Sequence, residues 1–113
     1  MSATAAQIAR LRRMIAEPTV TTYSDDALSE YVEHYPLPDA AHLLPGDADW
    51  TPTYDLNAAA ADIWSEKAAN LVANGQIYEA DSVHLQAVRQ ARYYQARRAA
   101  RTITVSNRDG GEA

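Results

Sequence analysis

Apolar residues recur at helical spacing in four stretches of the chain, which predicts four helices. The first stretch follows Thr4 and Gln7, which are spaced as a capping box, and it stops at Pro18. The second starts at Ser24, a favourable N-cap residue, and stops before Pro36. We expect the buried stripes of these two helices to be Ile8, Leu11 and Ile15 in the first, and Leu28, Tyr31, Val32 and Tyr35 in the second.

The third and fourth helices are predicted over residues 55–74 and 81–99. In the third, the alanine run 58–61 allows another helix to approach closely. Lys67 lies on its apolar side, where we expect the stem to be buried and the ammonium to reach an edge or a neighbouring subunit. The predicted inward residues are Leu56, Ala60, Ile63, Trp64 and Leu71 in the third helix, and His84, Ala87, Val88, Ala91 and Tyr94 in the fourth.

Two segments fall outside this helical pattern. Residues 36–54 contain four prolines and form a long loop, a kind of segment that is usually functional or ordered by a partner, and Trp50 and Tyr54 can anchor it. Residues 101–105 switch to a period-two, β-branched pattern that predicts a lone strand. Such a strand can pair with the segment around Val20, stay disordered as many chain ends do, or add to the sheet edge of another protein.

The predicted fold class is therefore all-α. We expect a small four-helix bundle with a long proline-containing loop over residues 1–100, and an extended C-terminal arm over residues 101–113. A chain of 113 residues fits one domain. It contains no cysteine, and we expect neither a signal peptide nor a segment that crosses a membrane.

Charge is segregated along the chain. Residues 1–16 contain three arginines and no acid, residues 17–67 contain eleven acids and one lysine, and residues 84–105 contain five arginines and no acid. Solvated helix faces would account for this pattern. Alternatively, copies of the chain meet basic surface to acidic surface, or the basic end meets an acidic partner.

The residues that could carry chemistry do not form a recognisable site. His34, His42 and His84 lack the spacing of metal ligands, and Asp47 and Asp49 start a calcium-loop pattern that the following residues do not continue. We therefore expect no enzyme, cofactor or metal. The alternative is a small helical regulatory or nucleic-acid-binding protein that uses the fourth helix with Arg89, Arg92, Arg97, Arg98 and Arg101, although a pI of about 5.0 argues against nucleic-acid binding.

Three stretches of the chain resemble the head-tail connector (head-completion adaptor) proteins of long-tailed phages. They are residues 8–18 with Tyr23-Ser24-Asp25-Asp26, residues 55–64 with Glu66-Lys67-Ala68-Ala69, and Ala91-Arg92-Tyr93-Tyr94 with Arg97-Arg98. The resemblance covers residues 8 to about 105, and its motifs are structural rather than catalytic. The connector at residues 75–82 is shorter than in many members of this family.

The resemblance implies a structural virion protein that assembles in the host cytoplasm as a ring, typically twelve-fold, beneath the portal. Such a ring lines the channel through which DNA passes and receives the next neck or tail-completion protein on its other side. By position, portal docking would fall on Arg97, Arg98, Arg101, Thr102, Ile103, Thr104 and Val105. From the loop and the charge pattern, we expect Trp50, Tyr54, Lys67, Arg89 and Arg92 at the contacts between subunits.

Overall fold

The structure, a computed structural model, describes residues 3–73 and 81–99. Within them the chain forms four helices, α1 (Ala5–Ile15), α2 (Asp25–Glu33), α3 (Leu56–Ala73) and α4 (Asp81–Arg97). In these two ranges there is no strand, only an isolated antiparallel bridge between Pro36 and Tyr54. The predicted all-α class is confirmed. The predicted strand at 101–105 and the arm at 101–113 lie outside the described residues.

The first two helices begin where their capping residues predict. The Thr4 side chain accepts a hydrogen bond from the backbone N–H of Gln7, and the Gln7 side chain accepts one from the backbone N–H of Thr4. Ser24 accepts from the N–H of Ala27, at 3.1 Å, and Asp25 and Asp26 lie in the first turn, where the helix dipole favours anions. The first residue of each of these two helices is therefore determined by capping bonds within one turn.

Helix α3 is the centre of the packing. α4 packs along it, and α1 and α2 each pack against it, whereas α2 and α4 do not pack on each other in the described part of the chain. The alanine run 58–61 is almost completely buried, so the small side chains allow this close approach. The core consists mainly of Ile8, Leu11, Ile15, Leu28, Val32, Tyr54, Ile63, Trp64, Ala68 and Ala87.

One arginine of the basic N-terminal segment is part of the interior. Arg12 is 8% exposed, and its guanidinium donates to the main-chain oxygens of Glu17, Thr19 and Tyr23 at 3.2, 2.6 and 2.8 Å. It also pairs with Asp25 at 2.6 Å. Since a guanidinium offers five N–H donors in a fixed plane, this one side chain can bind both ends of the connection between α1 and α2.

The long loop between α2 and α3 is held by a buried carboxylate and an indole. Asp39 accepts hydrogen bonds from the backbone N–H groups of Ala41, Leu43 and Thr51, at 2.8–2.9 Å. These bonds, with that of Thr51 the most effective, hold the pKa of Asp39 below its usual range. Trp50 donates from its indole nitrogen to the carbonyl of Leu37 at 2.9 Å.

Candidate functional site

The outward face of α4 is basic and partly apolar. Arg89 and Arg92 are both exposed, and after Asp81 the helix contains no acidic residue. Residues three apart on a helix are neighbours, about 5–6 Å between Cβ atoms, so the two guanidinium groups belong to one patch. Leu85 and Tyr93, each 47% exposed, lie one turn to either side of Arg89. We call these four residues the α4 basic face.

At the C-terminal end of α4, Arg97 packs on the ring of Tyr93, which in turn contacts Tyr94. The guanidinium carbon of Arg97 lies 3.8 Å from the centre of the Tyr93 ring, and the rings of Tyr93 and Tyr94 meet edge to face at 5.0 Å. Tyr94 is half-buried, and its hydroxyl donates to the carbonyl oxygen of Met14 at 3.2 Å. Burial raises the pKa of Tyr94. The prediction that Tyr94 faces inward is confirmed, while Tyr93 is exposed.

The described part of the chain ends at Ala99, which is bound beside the start of α3. The N–H of Ala99 donates to one carboxylate oxygen of Asp55 at 2.6 Å, while the other oxygen accepts from the N–H of Ala58 at 3.1 Å. Asn57 donates from its side chain to the carbonyl of Arg97 at 3.3 Å, and the guanidinium of Arg98 lies 4.9 Å from the centre of the Tyr35 ring. We call this arrangement the chain exit.

The predicted portal-docking residues divide at this exit. Arg97 and Arg98 take part in the chain exit, so both lie at the end of the bundle where α3 begins. The other five, Arg101, Thr102, Ile103, Thr104 and Val105, lie outside the described residues. Their role stays a prediction.

The ammonium of Lys67 is bound within its own chain. It donates to the carbonyl of Ile15 at 2.7 Å, pairs with Glu17 at 2.7 Å, and lies 4.3 Å from the centre of the Trp64 ring. The predicted burial of the stem on the apolar side agrees with this placement. Its predicted contact with a neighbouring subunit stays a prediction.

Two other predicted interface residues also contact their own chain. Trp50 is half-buried and meets Tyr54 edge to face at 5.7 Å. Tyr54 is 6% exposed, and burial raises its pKa. Of the five residues predicted at subunit contacts, Arg89 and Arg92 are therefore those with the most accessible side chains.

A pair of tyrosine–carboxylate hydrogen bonds joins α2 to α3, and the sequence interpretation did not find it. The hydroxyl of Tyr31 donates to Glu66, and that of Tyr35 donates to Asp62. Burial first, and then the hydrogen bond to the carboxylate, raises the pKa of both tyrosines. The signal was present, because two tyrosines and two acids are each spaced four apart.

Helix α2 presents two carboxylates that have no partner in the described part of the chain. Asp25 pairs with Arg12, and Glu33 accepts from the backbone N–H of Ala3 at 3.1 Å. Asp26 and Glu30 are exposed and take part in no hydrogen bond or ion pair there. They lie four residues apart, so both carboxylates belong to one helix face. We call this pair the α2 acidic face.

A cavity of about 460 Å³ lies between the end of α1 and the α3–α4 pair, lined among others by Glu17, Trp64, Lys67 and Leu71. The charged groups at its wall are already paired with each other. Across residues 3–73 and 81–99, no three His, Cys, Asp or Glu side chains are grouped as metal ligands would be. No helix within the same ranges is long and apolar enough to cross a membrane.

In comparisons with known proteins, no family model, no curated protein and no solved structure matches the chain. The motifs that carry the phage resemblance can still be located in the fold. The first contains Arg12 and its partner Asp25, the second contains Asp55 and Trp64, and the third contains Tyr94. Each of these residues forms a contact between elements of the bundle.

Proposed function

We propose that this chain is a structural virion protein, the head-tail connector subunit of a long-tailed phage. In this proposal its copies form a ring, twelve-fold as in the proteins it resembles, that binds the portal. The other side of the ring receives the next neck or tail-completion protein. DNA passes through the central channel without sequence-specific binding.

The observation that carries the proposal is the chain exit. Asp55 holds Ala99 while it caps α3, so the segment after Ala99 starts from a defined position on the bundle. A docking arm needs such a base, because an arm that starts from a fixed point loses less conformational freedom when it binds. Arg97 and Arg98 at the same place add positive charge for an acidic partner surface.

The nature of the motifs gives further support. Residues such as Arg12, Asp55, Trp64 and Tyr94 connect helices, and none of them is part of a cluster of nucleophile, base and orienting group. A subunit whose distinctive residues maintain its shape is suited to an assembly in which shape and surface determine the function.

The direct test is the location of the chain in phage particles. We expect cryo-electron microscopy of virions to show a ring of this chain between the portal and the tail. Its absence from purified particles that contain portal and tail would contradict the proposal.

A second test uses the predicted docking segment. Ile103→Pro removes a backbone donor and an apolar side chain, so we expect loss of portal binding without loss of helical circular dichroism. Asn107→Pro, in the same arm but beyond residues 101–105, is the matched control and should bind normally. Normal particle assembly by the Ile103→Pro variant would rule out strand docking.

The α4 basic face supports one other candidate, a small helical regulatory or nucleic-acid-binding protein. Exposed Arg89 and Arg92 beside exposed Tyr93 could contact phosphates and a base. Tight binding of duplex or single-stranded DNA that falls steeply with rising salt would favour this candidate over the connector.

A further inference from the structure

In the described part of the chain, exposed charged side chains without a partner include two basic pairs, Arg10 and Arg13 on α1 and Arg89 and Arg92 on α4, and one acidic pair on α2. Of the two basic pairs, only that of α4 has exposed large apolar side chains on its own helix. Arg89 and Arg92 on α4 are exposed and have no hydrogen bond or ion pair in residues 3–73 and 81–99. The same holds for Asp26 and Glu30 on α2. Within one copy these groups do not meet, because α2 and α4 do not contact each other in the described part of the chain.

We propose that the α4 basic face of one copy binds the α2 acidic face of the next copy, with Arg89 and Arg92 against Asp26 and Glu30. This inference rests on the proposed function and names the subunit contact of the ring. The spacing fits, since each pair of side chains spans about one helical turn and two such faces can place both ion pairs in register.

Apolar groups beside the arginines would contribute the burial that charge pairs alone do not supply. Leu85 and Tyr93 are each 47% exposed and lie on the same face of α4 as the two arginines. In an interface, buried tyrosine and arginine side chains often contribute much of the affinity, while complementary charges select the partner and the orientation.

The placement of the two faces makes the contact head to tail. A two-fold dimer needs one surface that complements itself, whereas here the basic and acidic faces are different surfaces of the same chain. Each copy that binds one neighbour through α4 keeps its α2 face free for another. Such contacts generate a closed ring when the rotation between copies divides a full turn evenly.

Charge reversal tests the inference. The Arg89→Glu/Arg92→Glu variant has two acidic faces, and the Asp26→Arg/Glu30→Arg variant has two basic faces. We expect each variant alone to assemble at least about tenfold more weakly than the wild-type chain, because both ion pairs become repulsive. An equimolar mixture should assemble again, with the two variants alternating. Sedimentation velocity at about 0.1 M salt, with and without the portal ring, measures assembly.

The control is the Arg10→Glu/Arg13→Glu variant, because these arginines are exposed on α1 and have the same spacing and charge. It should assemble like the wild-type chain. Circular dichroism checks folding, and recovery in the mixture shows that both reversed variants retain their structure.

The outcomes separate the inference from the proposed function. Wild-type rings whose assembly is unchanged in both reversed variants, or a mixture that does not recover, would overturn the inference and leave the connector intact. A wild-type chain that stays monomeric both alone and with the portal ring would overturn the proposed function and the inference together. Loss of tight DNA binding in Arg89→Glu/Arg92→Glu, with no assembly of the wild type, would replace both with the nucleic-acid candidate.

Discussion

The indole nitrogen of Trp64 donates a hydrogen bond of 3.1 Å to the main-chain carbonyl oxygen of Met14. Met14 lies in the last turn of α1, where carbonyl oxygens have no partner within the helix. The hydroxyl of Tyr94 donates to the same oxygen at 3.2 Å. One peptide oxygen of α1 thus accepts hydrogen bonds from side chains of both α3 and α4, so this contact connects three helices.

This shared acceptor predicts a coupling between Trp64 and Tyr94. Tyr94→Phe should lower the free energy of unfolding by about 1 kcal/mol, because Trp64 still satisfies the oxygen. Trp64→Phe should cost about 1–3 kcal/mol, since it also reduces core volume. The double variant should lose about 0.5–1 kcal/mol more than the sum, because the Met14 oxygen then has no side-chain donor. Urea denaturation measures each value, and additive losses would contradict the shared role.

Arg12 should be far more sensitive to substitution than its neighbour Arg13. Arg12→Lys replaces a guanidinium that donates to Glu17, Thr19, Tyr23 and Asp25 with one ammonium that cannot reach them all. We expect a loss of about 2–4 kcal/mol in the free energy of unfolding. Arg13→Lys, at an exposed position, should change it by less than about 0.5 kcal/mol. Equal effects in a denaturant titration would disprove the buried role of Arg12.

Asp39 should make the stability of the loop depend on pH. Its folded-state pKa is lowered, so its contribution is fully present above its ordinary pKa of about 4 and is lost as pH falls through the lower folded value. Asp39→Asn, which presents an amide N–H to at least one of the three backbone donors, should therefore be less stable than wild type at pH 7. The difference should shrink below about pH 3. Asp49→Asn, at an exposed position, is the control, and a pH-independent difference would contradict the prediction.

Tyr31 and Tyr35 should make the α2–α3 contact sensitive to alkali. Their folded-state pKa values are raised, so their stabilisation is complete below the ordinary tyrosine pKa of about 10 and is lost as pH rises through the folded values. Wild type should lose stability above about pH 10, and a Tyr31→Phe/Tyr35→Phe variant should lose less over the same interval. Thermal unfolding at several pH values measures this, and parallel losses in both proteins would refute the assignment.

The helix starts could be predicted because their signals are local. Thr4 with Gln7 and Ser24 with Ala27 act within one turn, and the apolar stripes depend only on helical spacing. Arg12 was not recognised as buried, because its carboxylate partner Asp25 is thirteen residues away and three of its acceptors are carbonyl oxygens with no sequence signature. The tyrosine–carboxylate pairs span 27 and 35 residues, so they depend on how α2 packs on α3.

The candidate surfaces, like the fold, could be predicted from the sequence only in part. Segregated charge in the sequence indicated basic and acidic surfaces, and Arg89 and Arg92 are exposed. Their place at a subunit contact stays a prediction. Sequence spacing could not show that the ammonium of Lys67 is bound to Ile15 and Glu17 of its own chain, since both partners lie about fifty residues earlier. It also gave no indication that Asp55 holds Ala99.

A variant of Asp55 tests whether this residue anchors the chain exit. Its carboxylate has two roles, and a matched control can separate them. It caps α3 at Ala58 and binds the N–H of Ala99. Ser24 only caps α2, so Ser24→Ala is the matched control.

We expect both Ser24→Ala and Asp55→Ala to lower the free energy of unfolding, by about 1–2 kcal/mol each. Only Asp55→Ala should speed amide hydrogen exchange at Ala99, and only that variant should bind the portal ring more weakly, because the arm would then start from a less ordered base. Protection of the Ala99 amide that survives in Asp55→Ala would show that the exit is held by other contacts.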